Sequence, residues 1–457
     1  MIIDAYTFPI NNQSTFICGE HKVSGKQWAK ECLTLSQEIK GYSEKNWLLY
    51  QDDFYQYSQY FFALLLAKKN IILAQSDQFE RFKQAAKFAD ISIGSTNIEN
   101  DQNNQLLPHF FQHKDGSVNN ETLASAPQNL IINANTCITL FTSGSTGEAK
   151  AIKKYWYQLA NEIECLQGVF PQSPEQTCVL STVTHKHIYG LLFKLIWPVF
   201  TNKQIICETI EYPEQVEYYC QAFNNIAFVS SPSYLARTSK QFSAQAIVNI
   251  SEIFCSGGAL STRVADDFLK YNQQVITEIY GSTETGGIAW RQQTHNALWQ
   301  LFPEHQVTLA QDNTLLLTSK FLAKDETFKS DEKVELNGRF FSLQGRVDRI
   351  VKLHEKRLSL DEMEKELNCL PRISACHCFV LDTPQSKTAL VAVIELESHS
   401  AVPSDGIQKK HLVNECKKTL SSLFEPSLLP RKWRFVPQLP YNSQGKLVKA
   451  TLVNLFE

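Results

Sequence analysis

A run of hydroxyl residues, glycines and one lysine follows an apolar segment in the first third of the chain. The run comprises Thr142, Ser143, Gly144, Ser145, Thr146, Gly147, Glu148, Ala149 and Lys150. Backbone N–H groups, hydroxyls and one positive charge can surround phosphate oxygens. The run differs from a Walker loop, because Ala151 follows the lysine where a Ser or Thr would bind magnesium. We therefore predict a triphosphate-binding loop, with a Ser/Gly surface turn as the alternative.

A second polar run follows an apolar segment that ends near residue 279. It comprises Tyr280, Gly281, Ser282, Thr283 and Glu284. A flat aromatic ring can stack on a base, a glycine lets the backbone approach a ligand, and a carboxylate can hold Mg²⁺ beside phosphate oxygens. By itself, the run is equally consistent with a turn at the end of a strand that carries an exposed glutamate.

Together the two runs resemble the adenylate-forming superfamily, which comprises acyl- and aryl-CoA synthetases, amino-acid adenylation domains and luciferases. Further segments match this family in the same order along the chain. Gly257, Gly258 and Ala259 resemble the stretch that flanks adenine, and residues 345–348 resemble the element that ends the large domain. Residues 439–446 resemble the C-terminal turn that carries a catalytic lysine, here Lys446. The matches span about two thirds of the chain.

The resemblance implies ATP and Mg²⁺ as cofactors and assigns a role to each matching residue. The 142–150 loop would hold the ATP phosphates, Tyr280 would stack on adenine and Glu284 would bind Mg²⁺. The ribose hydroxyls would be held by Asp331 and Arg346, and Asp348 would be the hinge of a small domain. For Asp331 a solvated acidic turn is the alternative, and for Asp348 a plain linker residue.

The sequence departs from the family pattern at several of these segments. Ser330 precedes Asp331 where a glycine is usual, and Ala149 and Ala151 stand where proline and glycine are usual. Glu355 occupies a position where a glycine commonly lets a hairpin approach the pantetheine arm. The departure at Glu355 concerns the acceptor of the acyl group, whereas those at Ala149 and Ala151 should alter loop stiffness more than charge.

Residues 185–190 give information about the acid substrate. They read His-Lys-His-Ile-Tyr-Gly. This segment resembles that of acyl and aryl ligases, with His187 at the mouth of the acyl site. A histidine that caps a helix or lies in the core is the alternative. A buried α-ammonium group would need a carboxylate partner, and none is evident in this segment. We therefore expect an amino-free acid, either aliphatic or aromatic.

The resulting hypothesis is an ATP-dependent acid–thiol ligase. It would form an acyl-adenylate with release of pyrophosphate, and would then transfer the acyl group to CoA or to an acyl carrier protein. A protein that binds an acyl-adenylate without catalysis is one alternative, and an ATP-dependent kinase or hydrolase is another.

Predicted strands and helices, which must position these residues, alternate along the chain. Short apolar runs that are typical of buried strands begin near residues 47, 70, 138, 178, 204, 226 and 275, with helical stretches between several of them. This alternation predicts an α/β fold with layered, parallel strands. Residues 97–129 are rich in Asn and Gln and predict a long connection. We predict a large N-terminal domain over 1–347 and a small, mobile α+β domain over 348–457.

Composition narrows the class of protein further. The 457 residues include 44 Lys and Arg against 47 Asp and Glu, a balance too even to favour nucleic-acid binding. The apolar runs at 60–67 and 190–200 are too short to span a bilayer. The first residues lack the features of a signal peptide and the 12 Cys are scattered, which predicts a cytoplasmic protein with reduced thiols. Cys376, His377 and Cys378 predict a structural strand rather than a metal site.

Overall fold

The computed structural model describes residues 4–10, 15–74, 79–94, 109–110, 128–143, 149–171, 177–353, 356–383, 386–397, 402–403, 405–421, 423–441 and 447–456. The chain divides into two compact units. The first unit consists of Met1–Gln306 and Thr318–Thr327, and the second unit consists of Val307–Leu317 and Phe328–Glu457. The boundary at residue 347 that we expect for the mobile domain stays a prediction.

The first unit contains most of the strands and helices. Its strands are β1 Ala5–Pro9, β2 Thr15–Cys18, β3 His21–Ser24, β4 Asn46–Tyr50, β5 Asn70–Leu73, β6 Ile91–Gly94, β7 His109–Phe110, β8 Asn129–Asn133, β9 Cys137–Ser143, β10 Ala149–Tyr155, β11 Cys178–Ser181, β12 Gln204–Ile206, β13 Ile226–Ser230, β14 Ile250–Cys255, β15 Ile276–Ser282, β16 Gly286–Gln292 and β17 Asn296–Leu301. Its helices are α1 Gly25–Lys40, α2 Phe54–Leu66, α3 Phe79–Ala86, α4 Trp156–Val169, α5 Ile188–Gly190, α6 Trp197–Phe200, α7 Pro213–Ala222, α8 Pro232–Thr238 and α9 Thr262–Asn272, with a π-helical turn at Leu191–Ile196.

Two sheets organise this unit, and β1 pairs separately with β8. One sheet has the order β10-β9-β5-β4-β6-β7, in which only the β9–β10 pair is antiparallel. The other has the order β17-β16-β15-β14-β13-β11-β12-β2-β3 within the unit, with a parallel centre from β15 to β2. Its flanking strands β16, β17 and β3 are antiparallel.

The central strands and helix α2 are buried because most of their side chains are apolar. All four residues of β11 and all five of β13 are buried, as expected for strands covered on both sides. Helix α2 begins at the N-cap Asp53, whose carboxylate accepts a hydrogen bond from the Gln56 N–H at 2.7 Å. Nine of its thirteen residues are buried, so this helix lies inside the main core.

The second unit is a smaller α+β structure. Strands β18 His305–Leu309 and β19 Thr314–Ser319 contain residues of both units, and are followed by β20 Phe328–Asn337, β21 Phe340–Arg346, β22 Ile350–Leu353, β23 Lys356–Ser359, β24 Ile373–Thr383, β25 Ser386–Leu396 and β26 Lys432–Val436. Its helices are α10 Leu360–Asn368, α11 Gly406–Leu420 and α12 Lys449–Asn454, with 3-10 turns at Val347–Arg349 and Pro426–Leu428. The Ser359 hydroxyl caps α10, because it accepts a hydrogen bond from the Glu362 N–H at 3.2 Å.

The strands and helices that we predict from apolar runs are confirmed, with bounds that shift by a few residues. The antiparallel strands β16 to β21 are not predicted. Only residues 109–110 and 128–129 of the expected connection at 97–129 are described. Within the described part of the chain, no helix is both long and apolar enough to cross a membrane. The twelve cysteines are free thiols.

Candidate active site

Three of the predicted site segments in the first unit follow strands of the parallel centre of one sheet. In the sheet, Ser181 of β11 lies beside Val229 of β13, Ser230 lies beside Cys255 of β14, and Cys255 lies beside Glu278 of β15. The His187 segment, the Gly257 segment and the Tyr280 segment therefore leave the sheet at the same edge. Ligands of parallel α/β sheets bind outside this carboxyl edge.

Gly257, Gly258 and Ala259 form an exposed turn after β14. Gly257 has a φ of +92°, and a Cβ atom there would meet no atom within 4 Å. The turn is tied to the neighbouring strand because the Ser256 hydroxyl donates a hydrogen bond to the Ile279 carbonyl at 2.8 Å. Its backbone is thus open to a ligand beside the end of β15.

Tyr280 is half-buried at the end of β15, and its ring contacts Trp299, a residue that no predicted motif includes. The ring centroid of Trp299 lies 5.3 Å from that of Tyr280. The Arg291 guanidinium carbon lies 4.2 Å from the Trp299 ring centroid, while Arg291 donates two hydrogen bonds to the Glu278 carboxylate. The tilted contact with Trp299, which Arg291 holds in turn, orients the aromatic side chain that we expect to contact adenine.

A tight turn connects β15 to β16 and carries Glu284. The Ser282 N–H donates to the Thr285 hydroxyl oxygen at 3.0 Å, and the Thr285 N–H donates to the Ser282 hydroxyl oxygen at 3.2 Å. Gly281 is required by the close approach of the two strands, because a Cβ atom there would lie 2.1 Å from the Gly286 carbonyl oxygen. Gly281 and Ser282 are exposed, whereas Thr283 and Glu284 are half-buried.

Buried ionisable side chains hold the backbone of this turn. Lys154 Nζ donates to the Glu284 carbonyl oxygen at 2.5 Å, and the Gly287 N–H donates to Glu162 Oε1 at 2.7 Å. His305 Nε2 lies 2.6 Å from the Gly287 carbonyl oxygen. Burial lowers the pKa of Lys154 and raises the pKa of Glu162.

The sequence contains signals for Lys154 and Glu162, although both residues lie outside the predicted motifs. Lys154 lies two residues after the buried Ile152 in β10 and therefore shares its inward face. Glu162 lies three residues after Leu159 and four before Leu166, on the apolar face of α4. A charged residue at a position whose neighbours predict burial is the signal that could have identified both.

The predicted phosphate loop closes the β9–β10 hairpin. Thr142 lies directly opposite Lys150, and Ser143 lies opposite Ala149. Thr142 is half-buried and Lys150 is exposed. The predicted phosphate ligands Gly144, Ser145, Thr146 and Gly147 lie outside the described residues. The apolar strand that we expect before the loop is present as β9, and the phosphate contacts themselves stay predictions.

His187 immediately precedes α5 and is half-buried. Its two polar neighbours are fixed by other elements. Lys186 forms an ion pair with Asp52 and donates to the Tyr50 hydroxyl at 3.0 Å. His185 is buried, with its Nε2 3.0 Å from the Gln51 carbonyl oxygen. The structure therefore places His187 in the segment that follows β11, and its predicted role at the acyl site stays a prediction.

The second unit contains the two predicted ribose ligands. Arg346 Nη2 lies 3.4 Å from Asp331 Oδ2, and Arg346 Nη1 lies 3.1 Å from Glu332 Oε1. Asp331 is 73% exposed and Arg346 is 41% exposed. Asp348 lies in the 3-10 turn after β21, and its side chain is outside the described part of the structure. Glu355 and Lys446 lie outside the described residues.

Side chains that could bind a metal ion are dispersed in the described part of the structure. These residues contain no cluster of three or more His, Cys, Asp or Glu that could hold a metal ion. Cys376 and Cys378 are buried within β24, as the prediction of a structural strand requires. Glu284 supplies one half-buried carboxylate in the turn after β15, whose backbone Lys154 binds, and its role as a magnesium ligand stays a prediction. A single carboxylate combined with phosphate oxygens is a common magnesium site.

The family of this protein follows from comparison with known sequences. The sequence profile of the AMP-binding enzyme family matches residues 62–313, which is more than half of the 457 residues. The chain therefore belongs to the AMP-binding enzyme family, and the resemblance drawn from its motifs is confirmed.

Two curated relatives are similar over most of this chain. D-alanine--D-alanyl carrier protein ligase of Staphylococcus haemolyticus is 26% identical over 358 residues, which cover 68% of this chain and 69% of the relative. Enterobactin synthase component F of Shigella flexneri is 22% identical over 442 residues, which cover 84% of this chain. The match spans only 32% of that relative's own length.

A solved structure with a similar fold is o-succinylbenzoate coenzyme A synthetase from Bacillus subtilis in complex with AMP. Its TM-score is 0.78 at 12% sequence identity, and the match covers 98% of both chains. The predicted α/β fold is thereby confirmed over nearly the whole chain.

Proposed function

We propose that this protein activates a carboxylic acid with ATP and transfers the acyl group to a thiol. The observation that carries the proposal is the turn at Glu284, which follows β15 beside the exposed glycine turn after β14. An aromatic residue, an open backbone turn and an acidic residue thus all lie at or just after the ends of adjacent strands of one sheet. These are the groups that a nucleotide with a bound divalent cation requires.

In the first step a carboxylate oxygen would attack the α-phosphorus of ATP. A bond forms between that oxygen and phosphorus, and the bond from phosphorus to the bridging oxygen of pyrophosphate breaks. Because the reacting groups are anionic, the site must supply positive charge. The loop that ends in Lys150 would hold the phosphates, and Lys446 would contact the substrate carboxylate and α-phosphate as a long-stemmed point charge. Glu284 would hold Mg²⁺, which supplies positive charge to phosphate oxygens when bound.

The nucleoside would be held by groups that do not react. Tyr280 would stack on adenine beside the turn that contains Gly257, and the Trp299 ring supports its orientation. Asp331 and Arg346 would hold the ribose hydroxyls. The exposure of both side chains is consistent with binding a polar ligand.

In the second step a thiol would attack the carbonyl carbon of the acyl-adenylate. The new bond joins sulfur to carbon, AMP leaves with the bond electrons, and the thiol proton passes to solvent. Asp348 would be the hinge that exposes the adenylate to the thiol. Two of the similar proteins are named for different acceptors, a carrier protein for the D-alanine ligase and coenzyme A for the o-succinylbenzoate synthetase. We propose one of these two for this chain.

We propose an amino-free acid because the segment around His187 offers no carboxylate for an ammonium group. Residues 182–200 contain three lysine or histidine positions before α5 and Lys194 after it, but neither Asp nor Glu. The nearby Asp52 already pairs with Lys186. An amino acid is the second candidate, which the similarity to a D-alanine ligase favours.

The test is a panel of aliphatic acids, aromatic acids and D-alanine, read by pyrophosphate release with and without CoA or a phosphopantetheinylated carrier protein. We expect AMP and pyrophosphate as products with an amino-free acid. Formation of ADP would instead favour a kinase, and adenylate binding without turnover would favour a non-catalytic binder. Lys446→Ala should reduce adenylate formation by about a hundredfold or more, because it removes a charge that acts in the transition state. A folded Lys446→Ala protein with wild-type pyrophosphate release would contradict this role.

A further inference from the structure

Lys154 and Glu162 are fully buried charged residues that lie outside every motif of the proposed site. Their side chains are 2% and 3% exposed. Burial of a charge is costly unless polar partners compensate for it. Both side chains find such partners in the backbone of the turn that carries Glu284.

The two contacts hold the turn from both sides of Glu284. Lys154 Nζ binds the carbonyl oxygen of Glu284 itself, and Glu162 Oε1 accepts from the N–H of Gly287, three residues later. Gly286, between them, has a φ of +70°, and a Cβ atom there would lie 2.5 Å from Glu162 Oε2. The carboxylate thus lies against the backbone, at a position where only glycine fits.

Lys154 donates to two backbone carbonyls, and the two differ in their other hydrogen-bond donors. Its second acceptor, the Phe321 carbonyl oxygen at 3.0 Å, also accepts a hydrogen bond from Gln158 Nε2 at 3.0 Å. If the ammonium group were lost, the Phe321 carbonyl would keep its hydrogen bond from Gln158 Nε2. The Glu284 carbonyl would lose the hydrogen bond from Lys154. The charge of Glu162 in turn counteracts the effect of burial on the pKa of Lys154.

We propose that Lys154 and Glu162 are positioning residues that hold the Glu284 turn in the geometry that binds the metal and nucleotide. Neither residue touches the reacting atoms, and both act through the backbone of residues 284–287. The inference about metal binding rests on the proposed role of Glu284. The inference about the turn itself depends only on the contacts in the apo chain.

The first test is hydrogen exchange of the apo protein, followed by mass spectrometry of peptides that cover residues 281–288. In Lys154→Met we expect exchange in this segment to accelerate by about tenfold or more, because a hydrogen bond to a charged group is lost. The matched control is Lys203→Met, which removes another lysine that is 2% exposed and lies over the Trp197 ring. Exchange in 281–288 that stays unchanged, or that rises no more than in the control, would overturn the proposal.

A pair of neutral variants tests the Glu162 contact without relying on Lys154→Met. Glu162→Gln keeps an oxygen that can accept from the Gly287 N–H, whereas Glu162→Met does not. We expect Glu162→Gln to retain most of the protection of residues 281–288 and Glu162→Met to lose it. Equal exchange in the two variants would contradict the proposal, because the hydrogen bond would then have no part in holding the turn.

The second test is a Mg²⁺ titration of pyrophosphate release. Loss of a residue that orients a metal ligand typically costs about 10- to 100-fold in metal affinity. We therefore expect Lys154→Met and Glu162→Met to need more Mg²⁺ by such a factor, with a smaller change in rate at saturating Mg²⁺. A Mg²⁺ requirement equal to that of Lys203→Met would overturn the metal part of the proposal. If Glu284→Gln leaves the requirement unchanged, the proposed function of Glu284 fails, and the exchange experiment still decides whether the turn is held as we propose.

Discussion

The two regions that the family resemblance assigns to nucleotide binding differ in the burial of the side chains that hold them. One region is the turn at Glu284, and the other is the pair formed by Asp331 and Arg346. The turn is held by Lys154 and Glu162, which are almost completely buried. Asp331 is 73% exposed, and Arg346 divides its contacts between Asp331 and Glu332.

The difference indicates which part of the site is fixed before a ligand binds. Removing one partner from a buried charge leaves an uncompensated group and costs about 3–5 kcal/mol. An exposed ion pair contributes about 0–1 kcal/mol and is weakened further by salt. The Glu284 turn is therefore preorganised, whereas Asp331 and Arg346 can exchange their mutual contact for hydroxyl groups of a ligand at little cost.

The largest expected difference concerns a glycine in the hairpin turn of each region. Gly286 and Gly338 both have positive φ values, +70° and +60°. A Cβ atom at Gly286 would clash with Glu162, whereas one at Gly338 meets no atom within 4 Å. We expect Gly286→Ala to lower the free energy of unfolding by about 2–4 kcal/mol, and Gly338→Ala by about 1 kcal/mol from backbone strain alone. Urea denaturation of both variants measures this, and equal losses would contradict the contrast between the two regions.

A smaller effect is expected from another buried ionisable group of the first unit. Burial lowers the pKa of His185 from 6.5 to about 3, helped by the charges of Lys194 and Lys186 and opposed by the Gln51 carbonyl and Asp52. The unfolded chain takes up a proton below pH 6.5 that the folded chain does not bind, so stability falls as the pH decreases from 6.5 towards 3. The loss from pH 6.5 to 5 should be about 2 kcal/mol.

His185→Gln should remove most of this pH dependence, because an amide does not titrate and can still donate to the Gln51 carbonyl. Urea denaturation at pH 6.5 and pH 5 would measure it, with His411→Gln in the exposed part of α11 as the matched control. A His185→Gln protein that loses as much stability as the wild type between these pH values would show that burial of this imidazole has no such effect.

The smallest effect on stability is expected at the exposed pair. Asp331→Asn should change the free energy of unfolding by less than about 1 kcal/mol. It should nevertheless raise the KM for ATP several-fold with little change in kcat, since it removes a binding contact that does not change in the transition state. The matched control is Asp312→Asn, which removes another ion pair of the second unit, with Lys329 at 2.7 Å. A KM for ATP that changes equally in both variants would remove Asp331 from the nucleotide site.

Motifs and apolar periodicity could predict much of this molecule from its sequence. The runs at β4, β5, β9 and β13 are mainly apolar on both faces, which identifies buried strands and the loops that follow them. The antiparallel strands β16 to β21 are not predicted, because polar and apolar residues alternate irregularly there and several register shifts interrupt the pairing.

The residues that contact the backbone or ring of the site residues are not predicted from the sequence either, for a different physical reason. Lys154 binds Glu284, 130 positions further along the chain, and Trp299 contacts Tyr280 from a separate strand. Local patterns report the period of a helix or strand, but not which distant backbone group a buried charge will meet. Such contacts follow only from the arrangement of the strands.

The central claim is that the Glu284 turn belongs to an enzyme that activates carboxylic acids. The most direct measurement is acid-dependent exchange of pyrophosphate into ATP by the wild type and by Glu284→Gln, followed across a range of Mg²⁺ concentrations. We predict exchange that depends on an added acid in the wild type, and a Mg²⁺ requirement about tenfold higher or more in the variant, because a neutral amide is a poorer ligand for a hard cation. Exchange with the same Mg²⁺ dependence in both proteins, or no acid-dependent exchange by the wild type with any acid of the panel, would contradict the claim.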